Sequence, residues 1–340
     1  MGERDLIRVF QGLAGPAGGR LLRGSGDDAA VARAGGVVVT SIDAVVDGVH
    51  FERATHSLAD VGHKALARGL SDLAAMGAEP GEAYVALAVP GDAPADLAEQ
   101  LGAGLMGLAE ATGTAIAGGD VTAGPVLSLT VAVNGWAGSA DELAYRDGAK
   151  PGDLAGVTGE LGGAAAGLLL LREAAPGGSA APDEAAAPGA PPGLSAAERD
   201  ALLLRHRRPT PLLAAGRALA AAGASAMIDL SDGLATDAAH VAEASGVAVE
   251  LRLEALPVAA GVEAVAAAAG RDPLELAAAG GDDYELLVTA PPERREAVEA
   301  AARAAGTWVR WLGRVEAGAG VRLVGPGGSP VALGGFEHRV

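Results

Sequence analysis

The sequence predicts two packed domains of mixed α/β or α+β class. Three observations carry this. The chain has 340 residues and is 50% hydrophobic, more apolar chain than one core normally holds. Strand-like and helix-like patterns alternate along the length, with no repeat of fixed period. The pattern then restarts at Lys150-Pro151-Gly152, a Pro-Gly punctuation suited to a junction. The expected domains are therefore 1–148 and 149–340.

In order along the chain, residues 37–42 read as a buried strand of β-branched residues after Gly35-Gly36. Residues 57–76 read as a helix. Ser57 and Asp60 have capping-box spacing, Leu58, Val61, Leu66, Leu70 and Leu73 form a partial apolar stripe, and Gly77 is a suitable stop. Strands are expected at 83–89, 114–117 and 126–134, and a helix at 95–111. The 174–193 stretch is Pro, Gly, Ala and Ser with almost no large apolar residue. It cannot bury enough surface to offset its ordering entropy and is expected to be a mobile insertion. Helices follow at 196–204 and 212–222, then a strand at 226–229. Ser231 is expected to cap a helix reaching about Ala244. Further strands are expected at 284–289, 308–313 and 321–324, and helices at 262–269 and 293–304.

Composition narrows the function. Cysteine is absent, which excludes disulfides, thiolate nucleophiles and Cys-based zinc sites. The formal net charge is −18, and no basic footprint for nucleic acid is present. An acidic chain still binds anions when divalent cations sit between them. The N-terminus, MGERDLIRVF, lacks the uninterrupted apolar core of a signal peptide. The longest apolar run, 161–171, is too short to span a bilayer. A soluble, cytoplasmic protein without membrane partners is expected.

The chemistry lies in aspartates at strand ends and turns: Asp27-Asp28, Asp43, Asp72, Asp120, Asp229 and Asp232, most beside Gly, Ser or Thr. Hard divalent cations take oxygen ligands, and magnesium commonly takes a few carboxylates plus phosphate oxygens. Adjacent glycines let phosphates approach main-chain N–H groups. Each motif taken singly also reads as a cap or turn; their number favours metal binding. Competing signatures fail. Neither lysine follows a glycine, as a Walker loop requires. The G-x-G-x-x-A match at Gly24 has two acids where a pyrophosphate would lie. His50 is either a structural hydrogen-bonder or a ligand contact. Arg146 is either a surface arginine or a phosphate clamp.

In sequence order, GDDAAV, SIDAVVDGVHF, LSDLAAMGA, GGDVTAGP, YRDGAKPGD, IDLSDGL, GGDDYELLVT and a terminal GFEH resemble the thiamine-monophosphate kinase family. That family sits in the superfamily that includes aminoimidazole ribonucleotide synthetase. The resemblance covers the chain outside 174–193. It implies the two-domain fold of that superfamily, an N-terminal domain that binds ATP and metal and pairs with its copy in a homodimer, and transfer of the γ-phosphoryl of ATP to thiamine monophosphate. It implies magnesium ligands at Asp28, Ser41, Ile42 (through its backbone oxygen), Asp43, Asp72, Asp120 and Asp229, with a further metal on Asp232. ATP would meet Gly119, Asp120, Arg146 and Ser231; the acceptor would meet His50, Asp282 and Phe336. Asp72, Asp120 and Arg146 would position the reacting groups without a covalent intermediate. Asp282 departs from the pattern, because the family more commonly has Glu there. Relatives that rely on a reactive Cys or selenocysteine do not fit a chain with no cysteine. Aminoimidazole ribonucleotide synthetase is the runner-up, and a non-catalytic nucleotide-binding module is the alternative of another class.

Overall fold

The computed structural model describes residues 3–14, 19–24, 29–174 and 191–334. Asp28, Phe336 and residues 175–190 of the expected insertion lie outside the described residues. The chain divides into two units. One contains the described residues of Met1–Leu73 and Ala78–Ala140; the other contains those of Ala74–Gly77, Asp141–Pro176 and Ala186–Val340.

The first unit begins with α1 (Glu3–Ala14) and a short antiparallel pair, β1 (Leu21–Arg23) and β2 (Val31–Ala32). Then come β3 (Val37–Val46), α2 (Leu58–Met76), β4 (Glu79–Val89), α3 (Leu97–Thr112), β5 (Ala115–Ala123) and β6 (Ser128–Ala137). The four long strands form one sheet in the order β3-β6-β4-β5, with β4 and β5 parallel.

Helix α2 forms for the reasons its sequence gave. The Asp60 amide donates to Ser57 Oγ at 3.1 Å and the Ser57 amide to Asp60 Oδ2 at 3.1 Å, a capping box. Leu66, Leu70 and Leu73 are fully buried, each contributing about 1.5–3 kcal/mol by leaving water. Gly77, at φ 71°, turns the chain out of the helix. Helices α2 and α3 approach through glycines. A Cβ on Gly104 would lie 1.8 Å from the Ala59 carbonyl oxygen, and one on Gly62 2.2 Å from that of Leu101. Gly104→Ala should therefore lose at least about 1–3 kcal/mol of stability through overpacking, read as a lowered thermal midpoint. An unchanged midpoint would show that the helices separate freely.

Strand β5 runs six residues past the sequence expectation. Its ladder with β4 is parallel with a bulge: Ala83 pairs with Ile116, but Tyr84 pairs with Gly118. Ala117 is the extra residue.

The second unit holds β7 (Leu154–Thr158), α4 (Gly163–Ala174), α5 (Ala196–Arg207), α6 (Leu213–Ala222), β8 (Ala226–Asp229), α7 (Leu234–Ser245), β9 (Ala248–Arg252), α8 (Val262–Ala268), α9 (Pro273–Ala279), β10 (Leu286–Ala290), α10 (Arg295–Ala304), β11 (Val309–Glu316), β12 (Gly320–Val324) and β13 (Pro330–Val331). Its seven strands lie in the order β13-β12-β9-β11-β7-β10-β8, antiparallel except for β9 with β12. Val157, Ile228, Leu251 and Leu287 anchor one core with α7 residues Leu234 and Val241. Met227, Leu286 and Val288 anchor another with Val298 of α10.

Ser231 does not cap α7, which begins at Leu234. The capping is done from inside the helix: Asp237 Oδ2 accepts the amides of Asp232 at 3.2 Å and Gly233 at 3.0 Å. Pro191 is buried and opens a turn closed by the Leu194 amide at 3.0 Å. Among the described residues no helix is long and apolar enough to cross a membrane.

Candidate functional site

In the first unit the site residues sit on β3, the helix packed over it, and β5. Successive strand residues point to opposite faces. Ser41 and Asp43 are partly buried in rows with Val133 and Val131, both fully buried. That is the helix-covered face. There Ser41 Oγ donates a short hydrogen bond to Asp72 Oδ2 of α2, and Arg68, one turn earlier on α2, stands 3.7 Å from Asp43 Oδ1. One face of β3 therefore carries a hydroxyl bonded to one carboxylate and, two residues on, a second carboxylate paired with a guanidinium of the same helix. These oxygens are hard donors of the kind magnesium takes. Ile42 lies on the other face, 68% exposed, so its side chain has no part in this group and only its carbonyl is chemically suited.

Asp120 lies across the sheet from them. It pairs with Ala86, which pairs with Thr130, which pairs with Ala44, a row on the open face. Gly119 pairs with Val85 in the same row as Asp43. A Cβ on Gly119 would lie 2.0 Å from the Val85 carbonyl oxygen, so strand packing alone requires glycine there. The structure thus bonds Ser41 to Asp72, sets Asp43 on the same face, and sets Asp120 on the opposite face at the far edge strand.

His50 lies in the turn after β3. Its Nδ1 accepts the Val46 amide at 3.2 Å, which leaves Nε2 carrying the proton in the neutral ring. The turn is pinned by Arg53, paired with Asp47 at 2.8 Å and with Asp92 at 3.1 Å.

In the second unit Asp229 ends β8, buried, and Ser231 and Asp232 follow it, partly exposed. Arg146 is exposed, its carbonyl accepting Ser245 Oγ at 2.8 Å. The Gly280–Glu285 segment lies against the end of β8. The Asp282 amide donates to the Ser231 carbonyl at 2.8 Å and the Tyr284 amide to that of Leu230 at 2.9 Å. Ser231 and Asp282 are thus backbone neighbours.

Several residues here escaped sequence reasoning. Asp237, inside α7, offers a ligand atom within 4.8 Å of those of Asp232 and His240. Burial pushes its carboxyl up to about 8, and the charges of Asp229 and Asp232 push the same way. Its signal was an acid among alanines on a buried helix face. Asp283 accepts the Gly162 amide at 2.7 Å and the Ala164 amide at 3.2 Å, capping α4. Glu285 accepts Thr158 Oγ1 at 2.6 Å, and burial raises its pKa.

Burial also pushes Asp283 up to about 7, against the pull of its two backbone hydrogen bonds. An unfolded aspartate ionises near about 4. Across that window the folded chain holds a proton that the unfolded chain has released, so stability falls as pH rises from about 4 to about 7. Asp283→Asn should flatten this part of the midpoint-against-pH curve. An unchanged slope would remove Asp283 as its source.

Comparison with known proteins follows the same division. Residues 26–137 match AIR synthase related protein, N-terminal domain, and 150–325 match AIR synthase related protein, C-terminal domain. A thiamine-monophosphate kinase of Mycobacterium tuberculosis is 38% identical over 294 residues, covering 84% of this chain and 80% of that one. The crystal structure of a thiamine-monophosphate kinase from Stenotrophomonas maltophilia superposes with a TM-score of 0.78 at 36% identity, covering 94% of each chain. AaThiL complexed with AMPPCP and TMP superposes with a TM-score of 0.75 at 30% identity, covering 89% of this chain and 87% of that one.

Proposed function

The chain belongs to the thiamine-monophosphate kinase family of AIR synthase related proteins, and from that premise we propose that it moves the γ-phosphoryl group of ATP directly to thiamine monophosphate. It is a thiamine-phosphate kinase, with a phosphate group as acceptor. An acceptor phosphate oxygen attacks the γ-phosphorus in line. The bond to the β–γ bridging oxygen breaks, ADP leaves, and thiamine diphosphate forms.

The observation that carries this reading is the placement of Ser41, Asp43 and Asp72 at one face of β3. Donor and acceptor are both polyanions, and two unit charges 4 Å apart repel by roughly 4 kcal/mol at an effective dielectric near 20. Bound magnesium supplies the neutralisation that this repulsion demands. Asp43 and Asp72, with the Ser41 hydroxyl, the Ile42 carbonyl and Asp28, would hold it in the N-terminal domain (1–148), and Asp120, on the opposite face of the sheet, would hold a separate ion. Asp229 and Asp232 would do so in the C-terminal domain (149–340).

The chain's own groups bind and orient. Gly119 and Asp120, Arg146 and Ser231 meet ATP, the guanidinium matching phosphate geometry. His50 donates from Nε2, and Asp282 and Phe336 complete the acceptor contacts. A second copy covers the open face of the four-stranded sheet, where Val38 and Ile42 are 52% and 68% exposed; a soluble homodimer working on cytoplasmic ATP is the result.

The test is incubation with ATP, magnesium and thiamine monophosphate, with products identified by mass. ADP and thiamine diphosphate in equal amounts are expected. No thiamine diphosphate, with turnover of the aminoimidazole ribonucleotide synthetase substrate instead, would overturn the assignment in favour of that relative.

A further inference from the structure

The Gly280–Glu285 segment carries two backbone outliers. Asp282 has φ 67° and Tyr284 φ 51°, the non-glycine residues with positive φ among those described. A bulky side chain in the left-handed region costs about 1–2 kcal/mol, and such strain persists only where its surroundings over-determine it. They do so here. The amides of Asp282 and Tyr284 are tied to the carbonyls of Ser231 and Leu230. Asp283 is tied to the start of α4 and Glu285 to Thr158. The Tyr284 ring is 2% exposed.

The two left-handed residues bring the Tyr284 hydroxyl back onto its neighbour's side chain, where it donates to Asp282 Oδ1 at 2.8 Å. Asp282 is partly exposed and backbone-bonded to Ser231. A carboxylate accepts hydrogen bonds and repels phosphate. What Asp282 suits in thiamine monophosphate is the cationic, amine-bearing ring system, not the phosphate. A short carboxylate has two side-chain torsions; a hydrogen bond from a fixed donor holds them in one setting.

We propose that Tyr284 is a positioning residue for the acceptor, whose buried hydroxyl fixes the Asp282 carboxylate to receive the ring end of thiamine monophosphate. This rests on the reading of Asp282 as an acceptor contact. The strained backbone is what lets a side chain two positions away reach that carboxylate.

The experiment is steady-state kinetics on Tyr284→Phe, Asp282→Ala and the double variant. Phenylalanine keeps the ring and loses the hydrogen bond. Tyr284→Phe should raise the KM for thiamine monophosphate about tenfold or more, the range for a hydrogen bond to a charged group. The KM for ATP should stay within about twofold, since only the acceptor's contact is touched. Asp282→Ala should raise the same KM at least as much, and Tyr284→Phe should add nothing in that background. Additive effects, or both KM values moving together with a lowered thermal midpoint, would make the hydroxyl structural and overturn the inference. An effect of Asp282→Ala without one of Tyr284→Phe would overturn the positioning role alone. No effect of Asp282→Ala would overturn the acceptor reading beneath it.

Discussion

Asp72→Asn should lower kcat/KM by at least about a hundredfold, with the thermal midpoint nearly unchanged. Asparagine keeps an oxygen that accepts the Ser41 hydroxyl, so the link between β3 and α2 survives. What goes is a negative charge at the face of β3 that carries Ser41 and Asp43. Charge aimed at the transferring phosphoryl acts on the transition state, and loss of one such group is commonly worth about 10²–10³ in rate. Packing of the free protein is affected far less, because Leu66, Leu70 and Leu73 still fill the face of α2. Near-normal turnover would remove Asp72 from the site. A collapse of the midpoint would make it a structural residue.

Free thiamine should be used at least about a thousandfold less well than its monophosphate, measured as kcat/KM. A phosphate monoester has a second pKa of about 6, so its attacking oxygen is already ionised at neutral pH. No protein base is then required. A hydroxyl acceptor would need a positioned base during transfer, and it would lack the phosphate that the oxygen-donor groups anchor through metal. Activity on the monophosphate should accordingly fall below about pH 6 as the acceptor gains its proton. Similar kcat/KM values for the two acceptors would overturn the mechanism while leaving the family assignment in place.

How much was legible depended on whether the signal was local. The Ser57–Asp60 box, the leucine stripe of α2 and the Gly77 stop are contacts within one helix, and all are present in the structure. Strand β8 is likewise found at Ala226–Asp229, where the sequence placed it. The strand expected at 114–117 stops where two glycines, Gly118 and Gly119, follow. In the fold they continue the ladder, since β4 approaches too closely for any side chain at Gly119. Helix α4 was read only as an apolar run, because its N-terminal cap comes from Asp283, far along the chain. The motifs named Ser41, Asp43 and Asp72, but their placement at one face is a tertiary event between β3 and α2. Tyr284 was read as the first residue of a strand; its left-handed backbone and bond to Asp282 had no local signature.

The extra residue Ala117 in β5 acts as a phase setter. Upstream of it, Ile116 faces the same way as Ala83; downstream, Gly119 inherits that direction and Asp120 takes the other. A strand that took Ala117 into the ladder opposite Tyr84 would keep every functional side chain in its sequence order. With the pairing before that point held, it would turn Asp120 toward the helices and Gly119 outward. Loss of Ala117 would join Ile116 to Gly118 in the present phase and leave Asp120 where it is. An inserted residue between Ile116 and Gly118 should therefore abolish activity, read as kcat/KM, where deletion of Ala117 does not.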